Sequence, residues 1–523
     1  MLVHLALVDQ ESDKNPRDET VPVSEFPRGC VGHGYGDGRV PIQMQTPCTG
    51  YNPRGMCGIV GIVGCPPEDT RVIERMTERL HHRGPDDRGT WCSADAQLGH
   101  ARLSILDLSP AGHQPMQLGD LVLTYTGEIY NFRQLRRGLE GDFVSDGDTE
   151  VLLHLYAREG AACLRQLTGM FAFAVWDQRR RRLFAARDRL GIKPLYYRPL
   201  PGGVAFASEI KALLELGQPA TDPSAIRDVL TYGWVPTPKS AFCGIHKLPP
   251  GHLMTWQDGR LSIERYWQPE PRAEITDMAE ACEELDALLG EVVPDHTLSD
   301  VPVGVFLSGG IDSTTVTAYL DHPKTFTLSQ DVAHRSEAPA ARIAAAHFGT
   351  DHHEVTAGAI DLEQALSAMP NLYDEPFGDS GAWSVWMISR LARQRVTVAL
   401  SGEGGDELFC GYQWYSRWFT TPSSPIHDIL ARLVPPVTNY GRSLHRNTTC
   451  GLERYATFLG VFTPQQKSAL LGPRLADAHD DDLWFYRKNW RDDLDPLHRL
   501  QWADVHTYLP EGMLTKVDRA SMD

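Results

Sequence analysis

"VGVFLSGGIDSTTV", residues 303–316, runs from an apolar strand through a glycine-rich turn into the start of a helix. Such a turn, here Ser308-Gly309-Gly310-Ile311-Asp312-Ser313, lets backbone N–H groups and the helix N-terminus surround an anion, with Ser308 and Ser313 adding hydroxyl donors. Asp312 refines the reading. A carboxylate inside an anion cradle repels its ligand unless a divalent cation lies between them. A second strand, loop and helix follow at "VTVALSGEGGDELF", residues 396–409, with Ser401, Gly402, Glu403, Gly404, Gly405 and Asp406 in the same design. Two acid-bearing glycine-rich turns at the carboxyl ends of parallel strands suit a magnesium–nucleotide site between neighbouring strands. The chain has no G-x-x-x-x-G-K-[ST] motif, which excludes the common phosphate loop.

Around these turns, from about residue 275, strands alternate with helices. "DMAEACEELDALLGEVV", "STTVTAYL" and "APAARIAAAHFG" have helical spacing, and "VPVGVFL", "KTFTLS" and "VTVALS" are apolar strands. The alternation predicts a parallel α/β sheet. Residues 56–250 read differently, as short strands with turn punctuation ("CGIVGIVG", "DLVLTYTGEIYNF", "GMFAFAVWD", "RLFAARD", "PLYYRPL", "GVAFAS") interrupted by the helical stretches "DTRVIERMTERLHH" and "DTEVLLHLYAREG". That is a strand-rich layered domain with flanking helices. Prolines and glycines near the join set residues 251–274 as a linker. Residues 1–55 sustain no helix or strand period and are expected to be an unfolded leader or a misread start.

Length and charge bound the function. At 523 residues the chain holds two or three domains. With 50 Lys+Arg against 68 Asp+Glu the net charge is -18, which implies neither nucleic acid nor an anionic membrane as a partner. Ten cysteines without a C-x-x-C pair argue against a zinc site or a disulfide framework and for a reducing, cytoplasmic compartment. No apolar run approaches the roughly 18 residues of a membrane span. "DHHE", residues 351–354, places neighbours on opposite faces of a strand and is discounted as a metal cluster. His81 and His82 are expected to end a helix, and "YQWYSRWF" to form a buried or interface face.

The two turns, taken with "MCGIVGIVG", "HHRGPDD", "HARLSILDL", "GEIYN" and "RDRLGIKPLYY", resemble the glutamine-hydrolysing asparagine synthetases from Met56 to the last residue. The resemblance implies an α+β N-terminal-nucleophile sandwich of αββα layers followed by an α/β adenine-nucleotide domain. It implies that Met56 is removed and that Cys57 attacks the side-chain amide of glutamine with its own α-amine as base; an α-amine titrating near 8 and a thiol near 8.5 exchange a proton at little cost. Arg102 would bind the α-carboxylate of glutamine, a task suited to a guanidinium. Glu128 and Asp148 would hold the amide and ammonium ends, and Leu103, Ser104, Ile105 and Leu106 would line the pocket. The Gly127 N–H would form the oxyanion hole beside residue 126.

In the synthetase half the resemblance implies that ATP converts aspartate to β-aspartyl-AMP, which ammonia then displaces. Ser308, Gly309, Gly310 and Ser313 would cradle pyrophosphate, Asp312 and Asp406 would hold Mg²⁺, and Leu307, Ser401 and Gly402 would contact the nucleotide. Leu328 would touch adenine, and Glu403 matches the acid associated with the intermediate. Ammonia would travel through a tunnel between the sites.

The chain departs from the family pattern in three places. Thr126 stands where an asparagine usually supplies an oxyanion donor; losing one such donor costs about 100- to 1,000-fold in rate, so weak glutaminase activity is expected. Cys410 replaces a usual glycine, which implies a slightly different helix contact. The family sequence continues beyond a stretch resembling "YLPEGMLTKVDRASMD", so the chain reads as a fragment. An amide ligase acting on another carboxylate in peptide, polysaccharide or natural-product biosynthesis stays open, as does a catalytically impaired regulatory relative. The oligomeric state, a homodimer included, is not fixed by one sequence.

Overall fold

The computed structural model describes residues 56–270, 275–330, 336–357, 359–420, 434, 450–471 and 481–522; the expected leader, 1–55, lies outside them. The strand-rich half contains β1 (Gly58–Val63), β2 (Asp87–Cys92), β3 (Ala96–Arg102), β4 (Met116–Leu118), β5 (Leu121–Ile129) and β6 (Gly169–Asp177). It continues with β7 (Arg182–Arg187), β8 (Tyr196–Leu200), β9 (Gly203–Ala207), β10 (His246–Lys247), β11 (His252–Gln257) and β12 (Arg260–Arg265). They form two antiparallel sheets, ordered β10-β8-β9-β1-β3-β2 and β12-β11-β7-β6-β5-β4.

Strand periodicity explains the layering. Ile59 and Val63 of β1 meet Val122, Ala172, Trp176 and Leu183 of the other sheet in the central layer. The alternate residues Val60 and Ile62 face outward onto Ile73 and Met76 of helix α1 (Arg71–Glu78). On the far side Leu123, Phe171 and Phe173 pack on Val151, Leu152 and Leu155 of α2 (Asp148–Glu159). The αββα sandwich follows. Gly61 faces the central layer, where an added Cβ would lie 2.3 Å from the Phe206 ring, which accounts for a glycine inside a buried strand.

The expected linker, 251–274, is corrected by β11 and β12, which pair with each other and extend the second sheet beside β7. Asp258 (φ 50) and Gly259 (φ 78) make the turn between them, the left-handed pair that a two-residue hairpin demands. The D-G signal outweighs the prolines that suggested a boundary; residues 271–274 lie outside the described ones. His81 and His82 lie beyond the end of α1 at Glu78, and His82 Nε2 sits 2.9 Å from Glu209 Oε2, a partner distant in sequence.

The second half begins with α3 (Met278–Asp295), whose N-cap Asp277 accepts from the Ala279 and Glu280 N–H groups. It then contributes β13 (Val303–Phe306), α4 (Ile311–Ala318), β14 (Lys324–Gln330), α5 (Ala338–Phe348), β15 (Asp351–Ala357), β16 (Val398–Leu400) and α6 (Gly405–Phe409). All pairings in the sheet β15-β14-β13-β16 are parallel. Val292 and Val293 of α3 cover Val305 and Leu400 on one face, and Leu307 packs on Ala341 and Ala345 of α5. "YQWYSRWF" joins an aromatic cluster with Tyr455, Phe485 and Tyr486. A π-helical segment, Leu509–Leu514, leads into α7 (Thr515–Ala520), which is wedged between the halves. No helix among the described residues is long and apolar enough to cross a membrane.

Two candidate active sites

Cys57 immediately precedes β1. Its Sγ accepts from the Leu103 N–H at 3.3 Å and lies 3.5 Å from the Leu103 carbonyl oxygen, so the turn after β3 fixes the thiol. Burial pushes that thiol up to about 11. The Cys57 carbonyl accepts from Arg83 Nε at 3.2 Å and from the Thr126 hydroxyl at 2.7 Å.

The pocket beside the thiol is lined by Arg102, Leu103, Ile105, Leu106, Gly127, Glu128 and Asp148, together with Met56. Ser104 and Thr126 do not line it. The Ser104 N–H donates to Asp86 Oδ2, and the Thr126 hydroxyl is turned to the Cys57 carbonyl. Gly127 has φ +146, and a Cβ there would lie 2.1 Å from the Met170 carbonyl oxygen, so only glycine serves. Arg102 donates to the carbonyls of Ser109 and Asp107, bracing the loop under the pocket.

Asp148 opens α2 and accepts from the Tyr125 hydroxyl at 2.6 Å and the Ile129 N–H at 2.9 Å. Burial still raises it to about 6. Glu128 is driven well above the carboxylate range by burial and then by Asp148. Buried Asp148 and half-buried Glu128 repel each other and favour an arriving ammonium group, and Arg102 favours a carboxylate. The pocket therefore suits a zwitterionic amino acid whose side chain reaches the thiol.

In the second half β13 and β16 are adjacent and parallel, so their two glycine-rich turns emerge side by side. The contact is tight: a Cβ on Gly405 would lie 2.4 Å from the Asp312 carboxyl carbon, and one on Gly402 2.9 Å from the Ser313 nitrogen. Within the first turn the Ser313 hydroxyl accepts from the Ser308 N–H at 3.1 Å and lies 2.9 Å from the Ser308 hydroxyl. The Gly310 N–H donates back to Ser308 Oγ, and Gly309 takes φ +77 against α5. Leu307 is buried at the strand end. Leu328, on β14, packs into the cluster around Tyr373 and Trp386.

Burial raises both Asp312 and Asp406, and Asp406 also feels Asp312 and Glu403. Two half-buried carboxylates that repel each other beside an anion cradle fit a hard divalent cation, with phosphate oxygens and water completing its shell. Among the described residues there is no group of three or more such ligands.

Several residues escaped the sequence reading. Lys516 of α7 is buried with Nζ 3.4 Å from Glu403 Oε1. Asp518 and Arg519, two and three residues on, turn to the other half and meet Arg83, Lys193 and Glu209. The sequence gives no spacing signal for these pairs.

The architecture and the two sites define a glutamine amidotransferase joined to an amide-forming synthetase. Comparison with known families agrees: residues 56–267 match the glutamine amidotransferase domain and residues 284–523 match asparagine synthase. Glutamine-hydrolyzing asparagine synthetase 1 of Bacillus subtilis is 32% identical over 497 residues, covering 89% of this chain and 78% of that protein. Glutamine-hydrolyzing asparagine synthetase 3 of the same organism is 34% identical over 394 residues, covering 69% and 64%. Among solved structures, a glutamine phosphoribosylpyrophosphate amidotransferase from B. subtilis gives a TM-score of 0.32 at 17% identity, covering 59% of this chain and 70% of that one. The chain belongs to the glutamine-hydrolysing asparagine synthetase family.

Proposed function

We propose that the chain makes asparagine from aspartate and ATP with ammonia drawn from glutamine. In the first site Cys57 Sγ attacks the amide carbon of glutamine, ammonia leaves as the thioester forms, and water releases glutamate. Arg102 holds the α-carboxylate; Asp148 and Glu128 hold the ammonium and amide ends. The base is the α-amine of Cys57, present only once Met56 has been removed, which also takes a side chain out of the pocket. The ammonium formed beside the thiolate offsets the desolvation that holds the thiol near 11.

In the second site the β-carboxylate of aspartate attacks the α-phosphorus of ATP, giving β-aspartyl-AMP and pyrophosphate. Ammonia then adds to the acyl carbon and AMP leaves. Ser308, Gly309, Gly310 and Ser313 would hold pyrophosphate, and Ser401 and Gly402 would contact the nucleotide, with Leu307, whose side chain is buried, and Leu328, packed beside Tyr373 and Trp386, reaching it by backbone at most. Asp312 and Asp406 would hold Mg²⁺, which neutralises phosphate charge when bound. Glu403, with Lys516 Nζ 3.4 Å from its carboxylate, would act beside the reacting carboxylate. A small cavity between the halves is lined by Arg187, Leu195 and Tyr196 from one and Glu511, Thr515 and Arg519 from the other; ammonia would have to pass between the halves to reach the second site. The free cysteines among the described residues support a reducing, cytoplasmic setting.

The observation that carries this reading is the joint presence, in one folded chain, of a thiol beside the Glu128–Asp148 acid pair and two acid-bearing glycine-rich strand ends in contact. The test is ATP–pyrophosphate exchange with a panel of carboxylates, followed by asparagine synthesis from glutamine or ammonia. Exchange should require aspartate, and Cys57→Ser should abolish glutamine-dependent synthesis while ammonia still serves. Exchange driven better by another carboxylate would replace asparagine with that amide.

A further inference from the structure

Arg83 is fully buried between the two halves and uses most of its donors on three partners. Nε donates to the Cys57 carbonyl at 3.2 Å, Nη1 donates to Glu209 and Asp518 at 2.9 Å each, and Nη2 donates to Asp518 at 3.1 Å. The two bonds to Asp518 form a planar fork, which fixes the plane of the guanidinium and therefore the direction of its Nε–H. Lys193 Nζ holds the same Asp518 carboxylate at 3.1 Å. Asp518 belongs to α7, far along the chain from Cys57, and the same short helix presents Lys516 to Glu403.

We infer that Asp518 is a positioning residue for the glutaminase centre, acting through Arg83 on the carbonyl of Cys57. The inference rests on the reading of Cys57 as the nucleophile. That carbonyl shares its Cα with the thiol-bearing carbon and with the nitrogen that serves as base, so a carbonyl held by the Thr126 hydroxyl alone, without the second donor from Arg83, leaves both groups less firmly aimed at the amide. The charges that bear most on the thiol are those of Glu128, Arg102 and Asp148. Arg83 therefore works by direction rather than by field. Its ion network is a costly way to fill space: a buried cluster of this kind contributes little net stability over apolar packing of equal volume. What it supplies here is a fixed orientation, imposed on the glutaminase centre by the synthetase half.

The experiment uses the full chain processed to begin at Cys57, with steady-state kinetics for glutamine hydrolysis and for ammonia-dependent asparagine synthesis. Asp518→Asn keeps the shape but loses the second charged acceptor. It should lower the glutamine kcat at least tenfold, with the glutamine KM and the ammonia-dependent rate within twofold of the parent. Arg83→Lys keeps the positive charge that Asp518 and Glu209 neutralise but loses the fork, and should give the same split; it decides the matter where Asp518→Asn does not fold. The double variant should be no slower than the slower single, because both act along one path. The proposal is overturned if the glutamine kcat of both singles stays within twofold, or if both activities fall together. Cys57→Ser, assayed alongside, separates the two levels: glutaminase surviving that change removes the nucleophile reading and the proposal with it.

Discussion

Thr126 shows how one side chain redistributes work in a catalytic centre. Its hydroxyl is committed to the Cys57 carbonyl at 2.7 Å and does not line the substrate pocket, so it anchors the nucleophile and leaves the oxyanion without a side-chain donor from this position. Thr126→Asn supplies an amide that can donate to the oxyanion or to the Cys57 carbonyl and should raise the glutamine kcat at constant ammonia-dependent rate; an unchanged or lower kcat would mean that the anchor at the Cys57 carbonyl matters more than the missing donor. Asp312 stood out because it sits inside a contiguous strand, turn and helix, whereas Cys57 and Arg102 were singled out only through the family resemblance of the motifs around them. Asp518 and Lys516 were not: each is one charge on a short helix, and a charge acquires meaning only through the partners that docking brings. Cys410 lies between these cases. It takes a left-handed φ of 58 at the end of α6, the conformation that a glycine adopts freely.

At the level of elements, the two glycine-rich turns read correctly because strand, turn and helix are contiguous in sequence. The β11–β12 hairpin read as a linker because Pro249 and Pro250 just before it were weighed above its Asp258-Gly259 turn. Gly61 gives a stability test. Gly61→Ala forces a methyl against the Phe206 ring and should cost about 1–3 kcal/mol, the usual range for overpacking a filled core, measured by urea unfolding of the variant and the parent. The helix α6 gives a pH test. Burial pushes Glu407 from the ordinary carboxylate range to about 8, with its carboxyl accepting from the Tyr412 hydroxyl at 2.7 Å. The folded state then keeps a proton that the unfolded chain releases, so the stability this group lends is complete in acid and is lost as pH rises toward 8. Glu407→Gln should flatten that slope: the melting temperature of the parent falls relative to the variant between pH 5 and pH 8. Parallel curves would remove Glu407 as the source.

The whole molecule is tied together by charge as much as by apolar contact. Glu209 meets Arg83, Lys211 and Arg519, and Arg519 continues to Asp374, their side chains all buried except that of the half-buried Lys211. Removing the shared acid with Glu209→Gln leaves several cations underpaired, which typically costs about 3–5 kcal/mol for a broken buried pair. Calorimetry should then show the amidotransferase and synthetase halves melting in separate steps, whereas a single transition at the parental temperature would mean that the halves are coupled by other contacts. The domain order was visible from the sequence; this joint was not, because its partners are separated by as many as 435 residues. That separation sets an order of events on the ribosome. When residues 56–267 have emerged, the thiol and its pocket exist but Asp518 has not yet been made, so Arg83 lacks its fork. On the positioning role inferred for Asp518, a nascent chain turns glutamine over more slowly until the half that uses the ammonia has been synthesised and has docked.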